Sequence, residues 1–161
     1  MEQSTIRVFY GEGNGKSSAA VGMAVKAAME GKSVVLIQFL KGRQNEHGDF
    51  VKSLEPNIKW FSFEKEDCMY DELPEEKKQE AVRSIQNGIN FARKVLTTKE
   101  ADVLILDEVL GLTDNGMIAV EDILALFDNM WDNTELILTG RQADARILER
   151  ADCVSKIEKV K

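Results

Sequence analysis

The stretch Gly11-Glu12-Gly13-Asn14-Gly15-Lys16-Ser17-Ser18 restricts what this chain can fold into more than any other. It stands between a short strand-like segment, Ile6 to Tyr10, and an alanine- and methionine-rich stretch, Lys16 to Glu30, that reads as a helix. Glycine takes positive φ without a Cβ penalty, so such a turn lets successive backbone N–H groups point inward and come close to phosphate oxygens. The helix opening behind it presents unpaired amides to the same anion. Lys16 adds a full positive charge, and the Ser17 hydroxyl is suited to the coordination shell of Mg²⁺. Strand, glycine turn, Lys-Ser and helix in that order predict a phosphate loop over Gly11, Glu12, Gly13, Asn14, Gly15, Lys16, Ser17 and Ser18. The loop is short. Three residues separate Gly11 from Gly15 where the common pattern has four, and Tyr10 falls where the first glycine would stand.

The rest of the chain alternates strands and helices. Ser33 to Leu40, Ile58 to Phe63, Val103 to Leu106, Leu136 to Leu138 and Val154 to Ile157 read as strands, several of them continuous apolar runs. Gly31 closes the first helix. Pro74 fits the first turn of a second, which runs to about Leu96 with Ala81, Ile85, Ile89, Ala92 and Leu96 on one apolar face. Val120 to Phe127, with Ile123, Leu124 and Phe127 inward, and Ala143 to Ala151 are shorter helices. This alternation predicts an α/β fold, a mostly parallel sheet with helices on both faces, forming a single domain over residues 1–161.

In such sheets ligands sit at the carboxyl ends of the strands, which makes each strand end a candidate for the site. Asp107-Glu108 closes the apolar strand Val103 to Leu106, as a Walker B segment does, and a carboxylate there can hold Mg²⁺ directly or through water. Arg141 follows Thr139-Gly140 and can grip a triphosphate with two parallel N–H bonds. Lys41 and Arg43 follow the second strand at the same rim. Phe39 reads as core and His47 as a solvated loop residue. The acidic run Glu64, Glu66, Asp67, Asp71 and Glu72 reads as a solvated loop, with a lid over a second substrate as the alternative.

Composition narrows the function. The 161 residues carry 21 basic and 28 acidic side chains, net charge −7, which argues against a general nucleic-acid binder, since that would present a basic face. No apolar run approaches the ~20 residues needed to span a bilayer. Cys68 and Cys153 form no CxxC pair and His47 is the only histidine, so a zinc site is not expected and both thiols fit a reduced, cytoplasmic protein. No signal peptide is visible. No nucleophile–base arrangement is legible, so any catalysis should come from positioning and electrostatics.

The segment Phe9 to Ala20, with its short glycine spacing, resembles the phosphate loop of the cob(I)alamin (ATP:corrinoid) adenosyltransferases of the cobalamin-biosynthesis type. Gln38-Phe39-Leu40-Lys41-Gly42, Leu104-Ile105-Leu106-Asp107-Glu108, Leu138-Thr139-Gly140-Arg141 and Ala151-Asp152-Cys153-Val154-Ser155 are similar to that family's later segments, in the same order. The resemblance implies a RecA-like sheet and a homodimer. It implies that the cobalt(I) of a corrinoid (cobalamin or cobyrinic acid a,c-diamide), made by a reductant or flavoprotein, attacks the 5′ carbon of ATP and releases triphosphate. The loop from Gly11 to Ser18 then holds the triphosphate, and Ser17, Asp107 and Glu108 serve Mg²⁺ or Mn²⁺. Lys16, Glu108 and Arg141 carry the catalysis. A P-loop ATPase or nucleotide-dependent switch, or a carrier without turnover, are the alternatives.

Several departures from the family's pattern matter. Asn14 stands where lysine is usual, Gln142 to Ala145 replace the usual residues after Thr-Gly-Arg, and Lys156 stands where glutamate is expected. With the first strand starting almost at once and the sequence stopping at Lys161, the corrinoid side of the site is expected to be more open than is usual, covered by the 41–50 and 64–73 loops.

Overall fold

The computed structural model of the chain describes residues 3–39, 53–63 and 70–161. Strands β1 (Thr5–Tyr10), β2 (Val34–Phe39), β3 (Ile58–Phe63), β4 (Val103–Asp107), β5 (Glu135–Gly140) and β6 (Cys153–Lys156) lie in the order β3-β2-β4-β5-β1-β6. Every pairing is parallel, so the sheet is fully rather than mostly parallel among the described residues. Parallel neighbours need crossover connections, and helices supply them. These are α1 (Lys16–Met29), α2 (Glu75–Thr97), α3 (Val109–Asp114), α4 (Val120–Phe127) and α5 (Ala145–Arg150).

The apolar runs read from the sequence divide between the two faces because side chains alternate along a strand. Val35, Ile37, Phe39, Leu104, Leu106, Leu136 and Leu138 meet Ile85 and Ile89 of α2, Leu110 of α3, Ile123 and Leu126 of α4 and Ile147 of α5. Val34, Leu36, Val103, Ile105 and Ile137 pack on the other face against Ala20, Ala24 and Ala27 of α1. These alanines recur at helical spacing, and their small side chains let α1 lie close to the sheet. Burying each leucine or isoleucine of this core stabilises the fold by about 1.5–3 kcal/mol.

The α2 periodicity holds, with Ala81, Ile85, Ile89, Ala92 and Leu96 all buried. Pro74 stands one residue before the helix, at φ −59° and ψ 154°. Its ring fixes a φ that suits the helix, but the extended ψ makes it the entry residue and not part of the first turn. Where α2 crosses the sheet, a Cβ on Gly88 would come within 2.6 Å of Phe39 Cε1 and 3.0 Å of Phe63 Cγ. The glycine is thus a contact point, and the stacked pair Phe39–Phe63, with centroids 6.4 Å apart, fills the space against it. Phe39 is fully buried, as core. In α4, Ile123 and Phe127 point inward as expected, but Leu126 is fully buried while Leu124 is only partly so. Gly31 ends α1 with φ 80°, as a left-handed cap requires. No described helix is long and apolar enough to cross a membrane.

Candidate functional site

The strand order brings three ends together. The phosphate loop leaves the end of β1 and Asp107 ends β4, and only β5, with Thr139 and Gly140 at its end, lies between them. Asp107 is 3% exposed, and a carboxylate that far from water needs donors. Its Oδ1 accepts from Thr139 Oγ1 at 2.7 Å and from Ser17 Oγ at 2.9 Å. Its Oδ2 lies 3.1 Å from the same Ser17 hydroxyl and 3.4 Å from Gln38 Nε2. Ser17 and Asp107, named separately from the sequence, are therefore in direct contact.

Thr139 is fully buried and uses its hydroxyl in both directions. It donates to Asp107 and accepts the Glu108 N–H at 2.8 Å. That second bond holds a strained residue. Glu108 has φ 63° and ψ 14°, a left-handed conformation that costs a side-chain-bearing residue roughly 1–2 kcal/mol. The turn is sharp because β4 ends at Asp107 and α3 begins at Val109. The Glu108 side chain is half-buried and forms no ion pair with any described residue.

The glycines of the loop do two different things. Gly15, at φ 108°, opens α1 in a left-handed conformation, with nothing near the place a Cβ would occupy. Gly11, at φ 129°, faces the segment after β6, where a Cβ would overlap Ile157 O. Gly13 faces the same segment, its Cβ position 2.9 Å from Glu158 C and from Ile157 Cγ2. Close approach to an anion is thus not what demands glycine at 11 and 13; close approach of another part of the chain is. Lys16 is 8% exposed and folds back over the loop, its Nζ donating to Gly13 O at 2.8 Å. The amides from Gly15 to Ser18 open α1 and have no acceptor within the helix. Glu12, Asn14 and Ser18 are exposed and Ser17 half-buried.

Arg141 follows β5 directly, and its backbone oxygen accepts the Gly11 N–H at 3.0 Å, a bond shared with Gly140 O at 3.2 Å. It is thereby fixed at the rim of the loop with its side chain exposed and unpaired among the described residues. Lys41, Arg43, Glu46, His47, Glu64, Glu66, Asp67 and Cys68 lie outside the described residues.

Sequence reasoning named Gln38, Thr139 and Ile157 only as members of strands or motifs. Gln38 carried a signal, since a polar residue interrupts an otherwise apolar buried strand. Thr139 and Ile157 act through a strand order and a backbone that no pattern states. The described residues hold no cluster of three or more His, Cys, Asp or Glu able to ligate a metal. Two oxygens, from Ser17 and Asp107, suit Mg²⁺, which takes few protein ligands and completes its shell with water and phosphate oxygens. A cavity of about 360 Å³ is lined by Glu75, Lys78, Gln79, Val82 and Arg83 of α2 alone and contains none of these residues.

Solved structures similar to this chain share its fold. The flagellar accessory protein FlaH from Methanocaldococcus jannaschii has a TM-score of 0.58 at 16% identity, covering 96% of this chain and 70% of its own. A KaiC-like protein from Pyrococcus horikoshii has a TM-score of 0.56 at 18% identity, covering 99% and 74%. These place the sheet in the RecA-like P-loop class. Among curated proteins, the corrinoid adenosyltransferase of Escherichia coli is 31% identical over 160 residues, 99% of this chain and 79% of that one. The corrinoid adenosyltransferase CobA of Salmonella typhimurium is 29% identical over 161 residues, again 99% and 79%. The profile of the ATP:corrinoid adenosyltransferase BtuR/CobO/CobP family matches residues 2–161, and with the phosphate loop, Asp107 and Arg141 gathered at one rim of a RecA-like sheet, the chain belongs to that family.

Proposed function

We propose that this chain transfers the 5′-deoxyadenosyl group of ATP to the cobalt(I) of a corrinoid, either cobalamin or cobyrinic acid a,c-diamide. The observation that carries the reading is the join between the loop and the strand-end carboxylate through Ser17 and Asp107, in a chain matched by the family over nearly its whole length. An electron pair on cobalt forms the bond to C5′, the C5′–O bond breaks, and its electrons leave with triphosphate. The cobalt is the nucleophile, so the protein's work is to hold ATP in line and to receive the charge of the leaving group.

The roles follow from position. The amides from Gly15 to Ser18 and the Lys16 ammonium bind the triphosphate, with Lys16 moving from Gly13 O to a phosphate oxygen. Gly11, Glu12, Gly13 and Asn14 form the turn that sets their direction. Arg141, exposed and without an ion pair among the described residues, neutralises the departing charge. Ser17 and Asp107 would hold Mg²⁺ or Mn²⁺, which supplies further positive charge to the phosphates when bound. Glu108, held in a strained backbone beside Asp107, is the second acidic candidate for that shell. A reductant or flavoprotein supplies cobalt(I), and the working form is a cytoplasmic homodimer.

The test is the identity of the phosphorus product. With Mg-ATP and reduced cobalamin, phosphorus NMR should show intact triphosphate, formed only when the corrinoid is present. ADP and inorganic phosphate, produced at a rate indifferent to corrinoid, would replace this reading with a P-loop ATPase.

A further inference from the structure

The segment that follows β6 lies against the phosphate loop and holds it at two points. The β1–β6 register ends at Tyr10 and Lys156, but pairing continues one residue further. Ile157 N–H donates to Tyr10 O at 2.7 Å, and Ile157 O accepts from Gly13 N–H at 3.0 Å. The two backbone groups of one residue thus grip both ends of the turn from Tyr10 to Gly13. The glycines fit that grip. Cβ atoms at Gly11 and Gly13 would meet Ile157 and Glu158, whereas one at Gly15 would meet nothing. Gly13 is engaged on both sides, its N–H by Ile157 and its C=O by Lys16 Nζ at 2.8 Å.

We propose that Ile157 is a positioning residue for the nucleotide site. Its backbone clips the turn, commits the Gly13 amide to the protein, and leaves the phosphates to the amides from Gly15 to Ser18 and to Lys16. The clip accounts for the shortened spacing between Gly11 and Gly15: the turn is shaped against a neighbouring strand and not around the anion. When Lys16 leaves Gly13 O for a phosphate, Ile157 keeps the loop from closing over the space. The proposal rests on the nucleotide reading above and deepens it.

Amide exchange measured by NMR on the unaltered chain tests it. The Gly13 amide should be protected before nucleotide is added and unchanged by Mg-ATP, while Gly15, Lys16 and Ser17 gain protection. Ile157→Pro, which removes one of the two gripping groups, should weaken Mg-ATP binding about tenfold or more in calorimetry, equivalent to about 1.4 kcal/mol. Ile157→Ala, which keeps both groups, should bind like the parent chain. A Gly13 amide that exchanges freely until Mg-ATP arrives, or equal affinity in the proline and alanine variants, overturns the proposal. If the proline variant does not fold, exchange at Gly13 in the parent chain decides alone. Protection at Gly13 with no response to Mg-ATP at Gly15 to Ser17 removes the nucleotide reading, and this proposal with it.

Discussion

Ser17 and Asp107 are 90 residues apart in the chain, yet the Ser17 hydroxyl lies 2.9 Å from one carboxylate oxygen and 3.1 Å from the other. That contact ties the first turn of α1 to the end of β4. A cation entering between them would replace a hydrogen bond by two oxygen ligands already at hand.

Asp107→Asn keeps the shape and the acceptor for Ser17 and Thr139 but removes the charge. Its turnover should fall on the order of 10²-fold and lose its dependence on Mg²⁺, with metal-free nucleotide binding changed far less. Glu108→Gln should show the same pattern. A magnesium titration of rate and of ATP affinity checks both, and normal turnover across the titration would remove the assigned roles.

Lys16→Ala removes the only positive charge within the loop. Mg-ATP affinity should fall roughly 10- to 100-fold, the scale of the about 1.5–3 kcal/mol expected for a charge-assisted bond. Calorimetry reads it directly, and unchanged affinity would rule out a phosphate-binding role for the loop.

Thr139→Val leaves Asp107 Oδ1 and the Glu108 N–H each short of a partner in a buried place. The fold should lose about 1–3 kcal/mol, which lowers Tm by roughly 3–10 °C in a chain of this size. Thr139→Ser retains the hydroxyl and should recover most of the loss. Thermal melts of the three proteins compare them, and a valine variant as stable as the parent chain would show that the hydroxyl bonds do not hold the turn.

Gly140→Ala places a Cβ onto Leu110 Cβ. Overpacking of this kind costs about 1–3 kcal/mol, seen as a lower urea midpoint. Because Gly140 O shares the Gly11 N–H, the shift should reach the loop and weaken Mg-ATP binding as well. A midpoint equal to that of the parent chain would mean that α3 slides aside without cost.

Arg146 joins α4 to α5 through Glu121 at 2.6 Å and Asp144 at 3.1 Å. The Asp144 carboxyl is held below its ordinary value first by hydrogen bonding to the Arg146 side chain. Glu121 is lowered first by its own backbone amide and only then by Arg146. Arg146→Gln should therefore raise Asp144 more than Glu121 in an NMR carboxylate titration. Both folded-state values are depressed, so the stabilisation exists above the ordinary carboxylate range and is lost as pH falls through the lowered values. A larger rise at Glu121 would reverse the assigned order of causes.

Much of this fold is written in periodicity. The run Val103 to Leu106 reads as a strand buried on both faces, and the spacing of Ala81, Ile85 and Ile89 as a helix with one apolar face. The helix α3 was not legible, because Val109-Leu110-Gly111-Leu112 continues an apolar strand without a capping residue, and the turn into it is made by the left-handed backbone of Glu108. The loop, Asp107 and Arg141 could be named because charge at a strand end is a signal in itself. Thr139 could not, since its partners are set by β5 lying between β1 and β4. Ile157 could not either, because it acts through atoms that every residue possesses.

The position of β1 in the sheet also fixes when the site can exist. Its neighbours are β5 and β6, which begin at Glu135 and Cys153. During synthesis, the glycine turn leaves the ribosome early but has nothing to pair with until those late strands follow, a long-range closure of the kind that slows folding. A nascent chain halted before residue 135 carries the glycine turn and Asp107 but neither of the strands that pair with β1, so the turn takes its place in the sheet only as the last quarter of the chain is added.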